Sequence, residues 1–184
     1  MGMMTDEHLL ELAVQGNGQS FGVLVERWEQ RIFRFICRYT GSSDEALDLT
    51  QDTFAKAFQN LSKLSDPARF SSWLYKIALN ECRMRFRRNR GIRKVSIDEA
   101  HSEAELLEIS RVESPEDVAV RNEGVDRLKR VFGQLPEEQR EVILMKEYQG
   151  LRFHEIAAIL DIPLSTAKSR MYLGLKTLRK LMEE

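Results

Sequence analysis

GLRFHEIAAILDIPLSTAKSRMYLGLKTLRKLM, from Gly150 to Met182, decides the reading of this chain. It predicts two helices around a tight corner. Phe153, Ile156, Ala157 and Leu160 recur at helical spacing and form the apolar face of the first. Asp161 to Pro163 make the corner, and the second helix starts near Leu164 with Ser165 as its N-cap. On that helix Ala167, Met171, Gly174 and Leu178 share one side, which the spacing assigns to a core. The opposite side carries Ser165, Ser169, Tyr172, Lys176 and Lys180, with Lys168 and Arg170 on its flanks. A corner followed by a helix with one core face and one basic, hydrogen-bonding face fits a helix-turn-helix entering a DNA major groove. An ordinary helical hairpin with a solvated basic face has the same pattern, and this segment alone leaves both readings open.

Nearly everything upstream also reads as helix. A short first helix around Asp6 to Gln15 turns Leu9, Leu10, Ala13 and Val14 inward and stops at Gly16-Asn17-Gly18. The second, about Ser20 to Tyr39, carries Phe21, Leu24, Val25, Trp28, Ile32, Phe35 and Ile36. Ser42 with Glu45 gives a capping-box signature for a third helix, with Ala46, Leu47, Thr50, Phe54, Ala57, Phe58 and Leu61 inward. Ser62 to Arg69 is a loop broken by Asp66-Pro67. A fourth helix, about Phe70 to Arg90, is apolar on most sides: Phe70, Trp73, Leu74, Ile77 and Ala78 on one face, Tyr75, Leu79, Cys82 and Phe86 on another. What remains is a narrow polar stripe of Ser72, Lys76, Asn80, Arg83, Arg87 and Arg90, without an acid. A solvated face would mix Glu with Lys, so the stripe points to nucleic-acid contact, with a plain exposed surface as the alternative. Downstream, Ser114-Pro115-Glu116-Asp117 opens a helix ending at Gly133, and Leu135-Pro136 opens another, about Glu137 to Tyr148.

At 184 residues, 42% hydrophobic and 31% charged, the chain suits one ordinary or two small soluble domains. A net charge of −1 requires that any nucleic-acid role come from segregated charge. The charge is segregated: Arg83, Arg85, Arg87, Arg88, Arg90, Arg93 and Lys94 are followed by Asp98, Glu99, Glu103, Glu105, Glu108, Glu113, Glu116 and Asp117. The acidic stretch lacks its neighbours' periodicity and reads as a linker over 94–113 between domains at 1–93 and 114–184. The expected fold class is all-α. Neither a secretory signal nor an apolar run of roughly 20 residues is visible, so a cytoplasmic location without membrane insertion is expected. Cys37 and Cys82 read as buried thiols rather than a disulfide. His8, His101 and His154 lie in separate segments with no triad or metal shell around them. No enzymatic activity, metal, cofactor or small-molecule substrate is expected.

Four stretches, in this order, resemble the extracytoplasmic-function sigma factors, the smallest class of the bacterial sigma-70 family: FGVLVERWEQRIFRFICRYTG, DEALDLTQDTFAKAFQNL, FSSWLYKIALNECRMRFRR, and LPEEQREVILMKEYQGLRFHEIAAIL followed by STAKSR. The resemblance spans nearly the whole chain except the linker. It implies a sigma-2-like domain and a sigma-4-like helix-turn-helix domain. It implies as partners core RNA polymerase, through the β′ clamp coiled coil and the β flap, then promoter DNA, and an anti-sigma factor. Asp48, Gln51, Asp52 and Phe54 match the helix that docks on the coiled coil, where carboxylates and an amide would meet Arg and Lys. Ser72, Trp73, Lys76, Asn80, Arg83, Arg87 and Arg90 match the helix that melts and reads the −10 element, and Ser62 to Ser71 the loop that captures a flipped base. Ser165, Thr166, Lys168, Ser169, Arg170, Tyr172 and Lys176 match the surface that reads the −35 duplex.

Three departures from the family's pattern stand out. Ser165-Thr166-Ala167 replaces Gly-Thr-Val, Asp161 stands where a corner Gly is common, and Tyr172-Leu173-Gly174-Leu175 replaces His-Arg-Ala-Arg. The last removes two cations and implies weaker phosphate binding or an altered −35 preference. A stand-alone helix-turn-helix regulator, or a sigma mimic that titrates an anti-sigma factor, are the competing functions. The first would need neither the Asp48–Phe54 surface nor the stripe, and the second would tend to lose its DNA-contacting residues.

Overall fold

Short polar side chains start the first three helices by one device. The Thr5 hydroxyl accepts from the His8 N–H at 3.3 Å, the Asn17 amide oxygen from the Ser20 N–H at 3.2 Å, and the Ser42 hydroxyl from the Glu45 N–H at 3.3 Å. Each satisfies a backbone donor that a helix start leaves open, worth about 1 kcal/mol. The computed structural model describes residues 4–92 and 131–183, and all regular structure among them is helical. In the first part these are α1 (Asp6–Val14), α2 (Gly18–Thr40), α3 (Ser43–Gln59) and α4 (Phe70–Ile92). Two 3-10 turns, Leu61–Lys63 and Pro67–Arg69, occupy the α3–α4 connection. Helix α2 begins two residues earlier than its pattern predicts, because Asn17 rather than a later residue supplies the cap. It closes on Gly41 in the left-handed region, whose N–H reaches the Cys37 carbonyl at 2.8 Å. The linker at 94–113 and the helix start at Ser114 lie outside the described residues.

The chain divides into two compact units. In the first, α2 packs against α1, α3 and α4, and α3 packs on α4. Leu24, Ile32, Phe35 and Ile36 of α2 are fully buried, and burial of each such side chain contributes roughly 1.5–3 kcal/mol. An aromatic seam joins α2 to α4. Trp28 meets the edges of Phe70 and Tyr75, Phe35 meets Tyr75 at 5.4 Å, and Tyr39 meets Phe86 at 5.6 Å between ring centroids. Asp6 holds α1 to α2 by accepting from Arg27 and from the Trp28 indole, each at 2.8 Å. Cys37 and Cys82 are buried thiols that are not joined in a disulfide.

Two faces differ from expectation. Val14 is exposed at the end of α1, beyond the Leu9–Leu10–Ala13 line. On α3, Leu47 and Phe58 are more than half exposed, while Leu49 and Thr53 are buried with Ala46, Thr50, Phe54 and Ala57. The face is rotated because Leu49 and Thr53, the latter beside the expected Thr50, fill core positions. Thr50 and Thr53 donate their hydroxyls back to the carbonyls of Ala46 and Leu49, each at 2.6 Å, so neither brings an unsatisfied polar atom into the core.

In the second unit, residues 131–134 are helical and are followed by α5 (Glu137–Ile143), α6 (Phe153–Leu160) and α7 (Leu164–Glu183). Helix α5 continues into a π-helical turn, Leu144–Tyr148, closed by the Gln149 N–H on the Leu144 carbonyl at 3.3 Å. Five consecutive residues, Glu141 to Met145, are buried across this junction. Lys146 ties the turn to α6: its ammonium lies 5.2 Å from the Phe153 ring centroid and donates to the Leu151 carbonyl. Among the described residues no helix is long and apolar enough to cross a membrane.

Candidate functional site

The α6–α7 corner is built as the sequence predicts, with one change at the cap. Asp161 ends α6 in the left-handed region at φ 56° and ψ 49°, and the Ile162 N–H turns back to the Ala157 carbonyl at 3.0 Å. Asp visits this region at modest cost because its short side chain is tolerated there. Helix α7 then starts at Leu164, with the Ala167 N–H on the Pro163 carbonyl at 3.1 Å. Ser165 is therefore inside the first turn and exposed, and not the N-cap expected of it, because the first intrahelical bond already closes on Pro163.

Ala167, Met171 and Gly174 are buried, as their spacing requires. Gly174 has a steric reason: a Cβ there would stand 2.8 Å from Ile143 Cδ1 and 3.1 Å from Gln139 Cβ. Its bare backbone lets α7 approach α5 closely. Ser165, Lys168, Ser169, Tyr172 and Lys176 are exposed on the other side, and Thr166 is half-buried. Arg170 is also half-buried, its guanidinium 3.1 Å from the Glu138 carboxylate of α5. That cation is already engaged, which the sequence pattern did not reveal.

In the first unit, α4 presents its stripe outward. Lys76, Asn80 and Arg87 are exposed, and Ser72 and Arg83 are half-buried. Arg90 lies on the same helix, its side chain outside the described residues. Trp73 is half-buried and stands three residues before Lys76 and seven before Asn80, so it borders the stripe rather than the opposite core face; its ring lies 6.2 Å from that of Phe70. The one acid between Phe70 and Ile92, Glu81, is turned inward. There the Lys56 ammonium of α3 contacts both of its carboxylate oxygens at 2.6 Å. The helix's one carboxylate thus serves the α3–α4 interface and not the stripe. The loop before α4 is braced by Asp66, which accepts from the Ala68 N–H at 3.1 Å and pairs with Arg69 at 3.3 Å.

On α3, Asp48, Gln51 and Asp52 are exposed together, while Phe54 is 7% exposed and backs them from the core. Leu47 and Phe58 border this acidic face, with Phe58 resting on Phe21 at 5.1 Å between centroids. Sequence reasoning missed both as surface residues, although Leu47, Gln51 and Phe58 share a helical line that leaves out Ala46 and Leu49. The structure thus presents three sets: exposed acids and an amide on α3, exposed Lys76, Asn80 and Arg87 with half-buried Trp73 and Arg83 on α4, and a hydroxyl- and cation-bearing face on α7. No group of three or more metal-ligating side chains comes together among the described residues.

Residues 24–92 match the family Sigma-70 region 2, and residues 126–178 match Sigma-70, region 4. The chain is similar to the ECF RNA polymerase sigma-E factor of Escherichia coli, 32% identical over 173 residues that cover 92% of this chain and 90% of that protein. It is also similar to the RNA polymerase sigma-H factor of Pseudomonas aeruginosa, 29% identical over 182 residues, 97% of this chain and 94% of the relative. Among solved structures, that of CnrH in complex with the cytosolic domain of CnrY superposes with a TM-score of 0.69 at 26% identity, covering 97% of both chains. Two region matches in chain order, on two helical units, with relatives aligned almost end to end, place this chain in the extracytoplasmic-function class of the sigma-70 family.

Proposed function

We propose that the chain is an alternative initiation factor that binds core RNA polymerase and directs it to particular promoters. In this reading residues 1–93 dock on the β′ clamp coiled coil and open the −10 region, and residues 114–184 bind the β flap and the −35 duplex. The acidic segment 94–113 tethers the two. The observation that carries it is an exposed acid-and-amide face on α3 together with an outward cationic stripe without an acid on α4, in a chain whose other unit holds a helix-turn-helix. A stand-alone duplex-binding regulator needs only the last of these.

Asp48, Gln51 and Asp52 offer acceptors to a basic coiled coil, with Leu47 and Phe58 as an apolar rim and Phe54 as support. Opening a duplex costs a few kcal/mol per unstacked step, which a factor without ATP offsets by binding the separated strand. Lys76, Arg83, Arg87 and Arg90 supply phosphate contacts, Asn80 hydrogen bonds, and Ser72 and Trp73 the edge where a base can stack. On α7 the first-turn amides with Ser165 and Thr166 meet phosphate, while Lys168, Ser169, Tyr172 and Lys176 face the groove. Arg170 reaches DNA only by leaving Glu138. Two modest DNA contacts on one tether gain from effective concentration when promoter spacing fits. The polymerase supplies the chemistry, the factor acts in the cytoplasm, and an anti-sigma protein that covers both DNA-facing surfaces would silence it.

The test is transcription in vitro with core polymerase on a promoter panel, beside a gel shift without core. Lys76→Ala with Arg87→Ala, both fully outside the core, should impair open-complex formation more than holoenzyme assembly. Asp48→Arg with Asp52→Arg should do the reverse. Strong, sequence-specific duplex binding without core would refute the reading in favour of a stand-alone regulator.

A further inference from the structure

We infer that Leu173, beside Tyr172, reads thymine methyl groups in the −35 duplex, so that this chain chooses promoters partly by apolar contact. The inference rests on α7 being the −35-reading helix. At about 100° per residue, Leu173 and Tyr172 lie roughly 40° and 60° to either side of Ser169, and the Ala167–Met171–Gly174 core line lies on the far side of the helix. Both side chains are left out in solvent: Leu173 is 48% exposed and Tyr172 69%.

The polar groups on that face have restricted roles. The Ser169 hydroxyl donates to the Thr166 carbonyl at 3.0 Å, so outward it offers lone pairs, suited to the amino groups of adenine or cytosine. Arg170, whose planar fork would suit guanine, is paired with Glu138. Lys168 and Lys176 are flexible point charges with little geometric selectivity. At the third turn the groove therefore meets hydrocarbon where the family's pattern places an arginine. In the major groove only thymine presents a methyl group, at C5, and an apolar side chain discriminates by covering it.

The experiment uses holoenzyme reconstituted from core polymerase and the full chain. It first selects its −35 sequence from a randomised duplex pool. Each thymine of the selected element is then replaced singly by deoxyuridine, which removes the methyl and keeps the base pair. At one or more positions the replacement should weaken wild-type binding about fourfold, the worth of one buried methyl-sized group. The same replacement should leave Leu173→Ala holoenzyme unchanged, and Leu173→Arg should move selection at that position toward guanine. Both variants sit on an exposed helical position and should melt like the parent. Indifference to every deoxyuridine, or equal sensitivity in Leu173→Ala, overturns the inference and leaves the sigma reading standing. So does a Leu173→Ala defect in assembly with core instead of in DNA binding. Failure of the wild type to form holoenzyme, or to select any −35 sequence, overturns both.

Discussion

Replacing Lys56 by Met would strand a carboxylate inside the first unit. Glu81 keeps only 8% of its side chain exposed, and Lys56 meets both of its oxygens at 2.6 Å, while the lysine side chain itself is 42% exposed. The two ends of the pair are therefore unequal. Removing one partner of a buried ion pair costs about 3–5 kcal/mol; water reaching the lysine end brings Lys56→Met to roughly 2–3 kcal/mol. Glu81→Gln releases an ammonium that can swing into water and should cost about 1 kcal/mol. Lys56→Met with Glu81→Leu removes both charges and should return to within about 1 kcal/mol of the parent. Urea or thermal unfolding followed by tryptophan fluorescence isolates this event, because the chain's two tryptophans, Trp28 and Trp73, both lie in the first unit. For a unit of this size the Lys56→Met midpoint should fall by roughly 10–20 °C. Equal losses in the two single variants, or a double variant no more stable than Lys56→Met, would show that the carboxylate is not the stranded group.

Two further predictions concern the second unit. Gly174→Val should destabilise it by about 1–3 kcal/mol, since its Cβ would meet Ile143 Cδ1 at 2.8 Å; adding Ile143→Val, which removes that atom, should recover part of the loss in a circular-dichroism melt. Glu138→Gln should change stability by less than about 1 kcal/mol, because the pair with Arg170 is largely solvated on the glutamate side. The freed guanidinium should raise promoter affinity of the holoenzyme and steepen its salt dependence by about one charge, read by fluorescence anisotropy across a salt series. An unaltered slope would mean that Arg170 does not reach phosphate.

Periodicity carried most of the architecture because apolar residues at three- and four-residue spacing have one way to be buried together. The α6–α7 corner was legible down to Asp161, and the buried line through Gly174 held. Reading failed where a polar residue meets its own backbone. Thr53 looks like a surface residue until its hydroxyl is seen on the Leu49 carbonyl, and the core takes Thr53 and Leu49 in place of Leu47 and Phe58. It failed again where charges pair across helices far apart in sequence. Glu81 with Lys56 and Arg170 with Glu138 depend on packing that no local spacing encodes. Leu173 stood out in the sequence only as the loss of a cation, and its exposure as an apolar side chain beside Tyr172 required the packed helix.

The widened turn from Leu144 to Tyr148 sets a length standard for the helix that carries it. A loop absorbs an extra residue silently, but a backbone ring closed over five residues instead of four has already taken one in. Deleting a single amino acid there would restore ordinary pitch and leave the flanking side chains near their present directions, because four residues at about 100° each sweep nearly the arc that the five now cover. In descent, this stretch should tolerate the loss of one residue more readily than the regular turns before it, where the same loss would rotate everything that follows by about 100°.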